Sequence, residues 1–257
     1  MSYALITGAS KGIGRAFALQ LAQKKINVLL VARTSSLLQE LSLQIRNDYG
    51  VETDQLAIDL SQPDAADQIF GWCVSKKYDV NILVNNAGYG LSGGFDHYST
   101  EENRQMLQVN MLTPVTLISK FLPQLKACPK SYILNVGSSA AYQAVPYMSA
   151  YAASKSFITG FTRGLQVELK DSTVSVTLLT PGVTQTDFPV RAGVPVKAAK
   201  AGEKVSLSAE QVAKAAIRAM FRGKTEVTTG LITKLTLAFV WLLPRKWIEK
   251  TAAGIYK

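Results

Sequence analysis

Short apolar runs alternate with longer segments of helical period along most of this chain, and that alternation constrains its fold more than any other feature. The runs cover 3–7, 27–31, 55–58, 80–84, 131–136 and 174–179. Each is a few residues long, rich in Val, Ile and Leu, and mostly free of polar alternation. That is the pattern of strands buried on both faces of a parallel sheet. Between them, 13–25, 35–48, 64–77 and 152–170 carry helical periodicity. The alternation predicts βαβ units in an α/β, doubly wound parallel sheet. With 257 residues, 47% of them apolar, the chain suits one large α/β domain with a sizeable core. No linker, repeat or low-complexity segment precedes residue 190. The expected organisation is a core over 1–190, with 191–257 as a substrate loop and C-terminal helical extension of the same domain.

In such a sheet, functional loops sit at the carboxyl ends of the strands. The first run ends in Thr7-Gly8-Ala9-Ser10-Lys11-Gly12-Ile13-Gly14 and leads into a helix. Gly8 permits a sharp turn, and Gly12 and Gly14 let the backbone and the helix N-terminus approach a pyrophosphate. The spacing is G-x-x-x-G-x-G, in the strand–loop–helix context a dinucleotide site requires. The second run ends in Val31-Ala32-Arg33-Thr34, with no Asp or Glu between Asn27 and Gln39. An acid there would accept from a ribose 2′-hydroxyl, whereas an arginine accommodates a 2′-phosphate. Arg33, with Lys11 as a second cation, therefore favours NADP over NAD.

Residues 151–155 read Y-A-A-S-K. At i and i+4 the phenol and the ammonium are neighbours on a helix. A nearby cation lowers a phenol's pKa, so the pair suits a tuned general acid, and it equally suits a surface contact. The only cysteines are Cys73 and Cys128, and the only histidine is His97. A disulfide, a Cys/His metal site and a His-based triad are not expected. No signal stretch opens the chain, which points to a cytoplasmic location.

Taken in order, the motifs closely resemble those of the short-chain dehydrogenase/reductase family. They are Thr7-Gly8-x-x-x-Gly12-x-Gly14, Asp59-Leu60, Asn85-Asn86-Ala87-Gly88, Asn110, Ser138, Tyr151-x-x-x-Lys155 and Pro181-Gly182-x-x-x-Thr186. The match covers about 3–190. The resemblance implies a Rossmann fold and hydride transfer between NADP(H) and a carbonyl or secondary alcohol. Tyr151 would be the general acid, and Lys155 would lower its pKa and bind the nicotinamide ribose. Ser138 would donate to the carbonyl oxygen; nothing local excludes Ser139, but the family spacing selects Ser138. Asn110, on a helix over 101–120, would hold a relay water. Gly8, Ser10, Lys11, Gly12, Ile13, Gly14 and Arg33 would hold the cofactor's phosphates. Asp59 and Leu60 would meet the adenine, and Asn86, Ala87 and Gly88 the adenosine ribose. Pro181, Gly182, Val183 and Thr186 would position the carboxamide and phosphates. The family implies a homodimer or homotetramer, with no nucleic-acid partner and no metal.

Substrate-facing loops are expected at 89–96, 140–149 and 183–200. They contain Tyr89, Leu91, Phe95, Tyr142, Val145, Tyr147, Met148, Phe188 and Val190, which suggests an apolar carbonyl or alcohol. A 3-oxoacyl-thioester reductase is the alternative, and a non-catalytic dinucleotide sensor a remote one. The net charge of +10 is uneven: 190–257 hold 13 Lys/Arg and 4 Asp/Glu. Such asymmetry suits an anionic partner. The run 235–243 is too short to span a bilayer, and Pro244 breaks it. Trp241 and Trp247 flank Arg245 and Lys246. A basic amphipathic segment over 231–257 therefore covers the substrate entrance, a partner subunit or a lipid face.

Overall fold

In a computed structural model, which describes residues 2–256, seven parallel strands form one sheet in the order β3-β2-β1-β4-β5-β6-β9. Met1, Lys257 and the Trp241 side chain lie outside the described residues. The strands are β1 (Ser2–Thr7), β2 (Asn27–Ala32), β3 (Thr53–Ala57), β4 (Asp79–Asn85), β5 (Ser131–Val136), β6 (Val174–Thr180) and β9 (Glu226–Thr228). Two short strands, β7 (Thr184–Gln185) and β8 (Leu207–Ser208), pair apart from the sheet.

Strand neighbours along the chain point to opposite faces, and each face has its own core. Ile6 and Leu30 pack against Phe17 of α1 (Gly12–Gln23), Leu41 of α2 (Ser35–Tyr49) and Met220 of α9 (Ala209–Phe221). Leu5 and Leu29 face the other way. They pack against Ile69 of α3 (Ala65–Ser75), Phe121 of α5 (Thr113–Ala127) and Leu165 of α6 (Ser149–Glu168). The strand order reverses between β1 and β4, and the crevice for a ligand opens there at the carboxyl ends. Residues beyond 190 add to this unit: α9 packs on its core and β9 pairs at the edge of its sheet.

Two features depart from the sequence reading, and the break expected at Pro244 is found. The helix expected over 101–120 is α4 (Thr100–Leu107) and α5 joined by a π-helical turn, Gln108–Leu112. Pro114 explains the break: it has no N–H to return to the carbonyl of Asn110, and Thr113 N–H reaches back to Gln108 instead. The C-terminal segment is two helices, α10 (Leu231–Leu242) and α11 (Arg245–Tyr256), separated at Pro244. Two short helices, α7 (Phe188–Arg191) and α8 (Val196–Glu203), follow β7.

A buried polar ladder ties α6 to the sheet. Asn85 Nδ2 donates to Asn135 Oδ1 at 2.9 Å, and Asn135 Nδ2 donates to Thr162 Oγ1 at 2.9 Å. Thr162 in turn donates to the Ile158 carbonyl at 2.6 Å.

Candidate active site

The loop after β1 is built around glycine at two positions. Gly8 and Gly12 have φ of +67° and +53°, a region that penalises any side chain. Gly14 lies behind them, buried, where a Cβ would collide with the Gly8 carbonyl. Thr7 fixes the loop to its neighbour: its hydroxyl accepts from the N–H groups of Asn86 and Ala87, both at 3.1 Å. The Asn86 amide donates to the Thr7 carbonyl at 2.9 Å, so its side chain braces the loop.

One cleft of about 710 Å³ follows the strand ends. Its walls include Gly8, Ser10, Lys11, Gly12 and Ile13 from the loop, Arg33 and Thr34 after β2, and Asp59 and Leu60 after β3. Asn86, Ala87 and Gly88 enter after β4, Ser138 after β5, and Pro181, Gly182, Val183 and Thr186 after β6. Tyr151 and Lys155 enter from α6. Among the expected residues, Asn110 and Gly14 stand behind the wall.

Tyr151 and Lys155 are both buried. Burial pushes the Tyr151 phenol up to about 12, and the neighbouring Ser138 side chain opposes the rise. Burial brings Lys155 down to about 8, and its ammonium donates to the Val136 carbonyl at 2.9 Å. Lowering of the phenol's pKa by Lys155 is therefore not seen in this geometry; the ammonium is turned to a carbonyl and desolvation dominates. Ser138 caps a 3₁₀ turn, Ser139–Tyr142, and accepts from Ala140 N–H at 3.1 Å. Ser139 N–H donates to the Pro181 carbonyl at 3.0 Å, tying the strand ends together.

The Asn110 amide is committed to protein partners. Its Oδ1 accepts from Tyr89 N–H at 3.1 Å, while Nδ2 donates to the Tyr89 carbonyl at 2.9 Å and to Ser154 Oγ at 3.0 Å. The side chain therefore cannot donate to a relay water without breaking one of these bonds. Lys11 pairs with Asp187 at 2.9 Å, which draws it toward the α7 loop. Tyr142 points away from the cleft, bonding to Glu226 with Arg163 over its ring. Of the other loop residues, Tyr89, Met148, Phe188 and Val190 line the cleft. Leu91, Phe95 and Tyr147 line a separate cavity of about 270 Å³, and Val145 is buried in the packing around Tyr151.

Two wall residues carried no sequence signal. Arg191 lies 4.8 Å over the Tyr89 ring, close enough to Arg33 that their like charges oppose each other. Tyr256, at the end of α11, packs against the cluster around Tyr151 and lines the cleft.

A family model described as short chain dehydrogenase matches residues 2–193. The chain belongs to the short chain dehydrogenase family. Among its curated short chain dehydrogenase relatives is a very-long-chain 3-oxoacyl-CoA reductase of Kluyveromyces lactis, 32% identical over 185 residues, or 69% of this chain and 54% of the relative. Another is 17-beta-hydroxysteroid dehydrogenase type 3 of Mus musculus, 32% identical over 181 residues, or 70% of this chain and 59% of the relative. The chain spans about half the length of the curated relatives it matches. Among solved structures, a 7beta-hydroxysteroid dehydrogenase superposes with a TM-score of 0.87 at 26% identity, covering 98% of this chain and 96% of that one. A short-chain dehydrogenase from Sphingobium yanoikuyae in complex with NADPH gives 0.83 at 28% identity, covering 94% and 95%.

Proposed function

We propose that this chain is an NADP(H)-dependent oxidoreductase that reduces the carbonyl of an apolar substrate, or oxidises the corresponding secondary alcohol. The observation that carries the reading is the single cleft that takes in the glycine loop, Arg33, Ser138, Tyr151 and Lys155. The residues fit a dinucleotide. Gly8 and Gly12 leave bare backbone at the start of α1, and a Cβ on Gly88 would crowd the Lys155 ammonium at 3.2 Å. Arg33 follows β2 where an acid would be needed for NAD, and Arg191 takes the place of Lys11 as the second cation. The NADPH-bound relative supports the choice.

NADPH, when bound, supplies the hydride to the carbonyl carbon. Tyr151 passes its phenolic proton to the carbonyl oxygen, and Ser138 donates to the same oxygen, so the developing charge meets two donors. A phenol pushed up to about 12 stays protonated through neutral pH. Lys155, brought down to about 8, holds a proton that can move near neutral pH, which suits its return to the phenolate. Asn110 acts as a positioning residue for Tyr89 and α6.

A second reading is reduction of a 3-oxoacyl thioester. The K. lactis relative's name favours it, and the net charge of +9 over 190–257 suits a phosphate-bearing carrier. A non-catalytic sensor would have no use for both Tyr151 and Lys155 in the cleft wall. We read the protein as a homo-oligomer, cytoplasmic or peripheral at a membrane, with exposed Leu112, Phe157 and Val167 as candidate subunit contacts.

The test is NADPH oxidation with ketosteroids, 3-oxoacyl thioesters and aromatic ketones. Tyr151→Phe should lower kcat by roughly 10²–10⁴ while NADPH still binds. Near-normal turnover by that variant would overturn the assignment.

A further inference from the structure

The helix α10 reads L-I-T-K-L-T-L-A-F-V-W-L, and none of its described side chains is buried. A helix this apolar on a folded protein is ordinarily covered. Leu231, Leu235, Phe239 and Leu242 recur at steps of four, four and three, so they form one stripe, and they are 51–78% exposed. Exposed apolar surface resumes on both sides of Pro244 in Leu243 and Trp247. The other side of this helix pair is spoken for: Thr233 packs on Gly182, Ala252 is buried and Tyr256 lines the cleft.

The charge around the stripe selects what covers it. Residues 231–257 hold five Lys/Arg and one acid, Glu249. Lys234, Arg245, Lys246 and Lys250 are exposed. A two-fold contact between copies of this surface would set these cations against one another. A nucleic acid would neutralise the cations but leave the leucines and Phe239 in water. An anionic bilayer accepts both, with the apolar stripe at the acyl boundary, the cations on the headgroups and Trp247 at the interface. At 1.5 Å per residue, a 12-residue helix reaches only ~18 Å against a hydrocarbon core of ~30 Å. No described helix is long and apolar enough to cross a membrane.

We propose that α10 and the start of α11 form a docking surface for anionic bilayers, with α10 lying in the plane of the interface. The inference concerns binding alone and stands apart from the reaction proposed above.

The experiment uses the full chain with phosphatidylcholine vesicles, with and without phosphatidylserine. The protein should sediment with the anionic vesicles at low salt and be released at high salt, because the headgroup attraction is screened. L235E/F239E should abolish sedimentation. Lys246→Ser should weaken it by about fivefold and leave the circular dichroism spectrum unchanged. Protein that stays in the supernatant of anionic vesicles overturns the proposal. So does a double variant that sediments like the wild type. So does a light-scattering mass showing a dimer that L235E/F239E dissociates, since a second copy would then be the occupant.

Discussion

Helices α1 and α10 are both 12 residues long and both begin at a glycine loop, yet they meet opposite fates. In α1, six residues are buried: Gly14, Ala16, Phe17, Ala18, Leu21 and Ala22. In α10 no described residue is, although its sequence is the more apolar. Apolar content therefore does not decide burial. Alanines at 16, 18 and 22 let α1 approach the sheet closely, and Phe17 and Leu21 fill the space between. The large side chains of α10 project outward over most of its surface, so the helix touches its own protein along a narrow strip that includes Thr233. The first helix is held by the core; the second rests upon it.

Four measurements sharpen or break that contrast. Phe17→Ala should destabilise the protein by about 3–5 kcal/mol, and Phe239→Ala by no more than ~0.5 kcal/mol, in urea unfolding. Equal losses would mean that α10 is core after all. Next, Arg33→Asp should weaken NADPH by about ten- to a hundred-fold, the worth of one charge-assisted contact, and bring NADH level or ahead. An unmutated enzyme that prefers NADH would sink the reading of the β2 end.

A third measurement concerns pH. Lys155 falls from 10.5 to about 8 on folding, so the unfolded chain binds the extra proton between those values. Its contribution makes stability rise with pH from about 8 to 10.5. Tyr151 rises from 10.0 to about 12, so its contribution is lost as pH climbs through that window. Lys155→Met should flatten the rise between pH 8 and 10.5 in unfolding curves, with Lys246→Met as the exposed control. An unflattened curve would mean that Lys155 is not desolvated. The smallest effect expected is that of Tyr256→Ala, a several-fold change in KM for bulky ketones with NADPH affinity unchanged. A silent substitution would remove α11 from the substrate end of the cleft.

Most of the sheet was legible because a strand buried on both faces leaves an unbroken apolar run. The short strands were not: Glu226-Val227-Thr228 is a three-residue edge held by its register with Leu178–Thr180 and by tertiary partners of Glu226, Tyr142 and Arg163, none of them local in sequence. The π turn was legible in principle, since Pro114 removes the donor to Asn110, but helical periodicity alone runs straight through it. At the site, Tyr151 and Lys155 could be read as neighbours because their spacing is local. Partners set by tertiary contact could not. Asp187 takes Lys11 from across the loop, the Asn110 amide is spent on Tyr89, and Tyr256 arrives from the far end of the chain.

The ladder through Asn85, Asn135 and Thr162 bears on how freely α6 can change. Sliding α6 by one turn would strand the Asn135 amide in a dry interior, at a cost of about 1–3 kcal/mol for each lost partner. Hydrocarbon contacts alone would tolerate several seatings of nearly equal energy, since leucine-like surfaces are interchangeable. Two amides and a hydroxyl separate the native seating from its rivals by an energy gap. The exposed face of α6 is then free to drift in sequence while Tyr151 and Lys155 keep their height above the sheet.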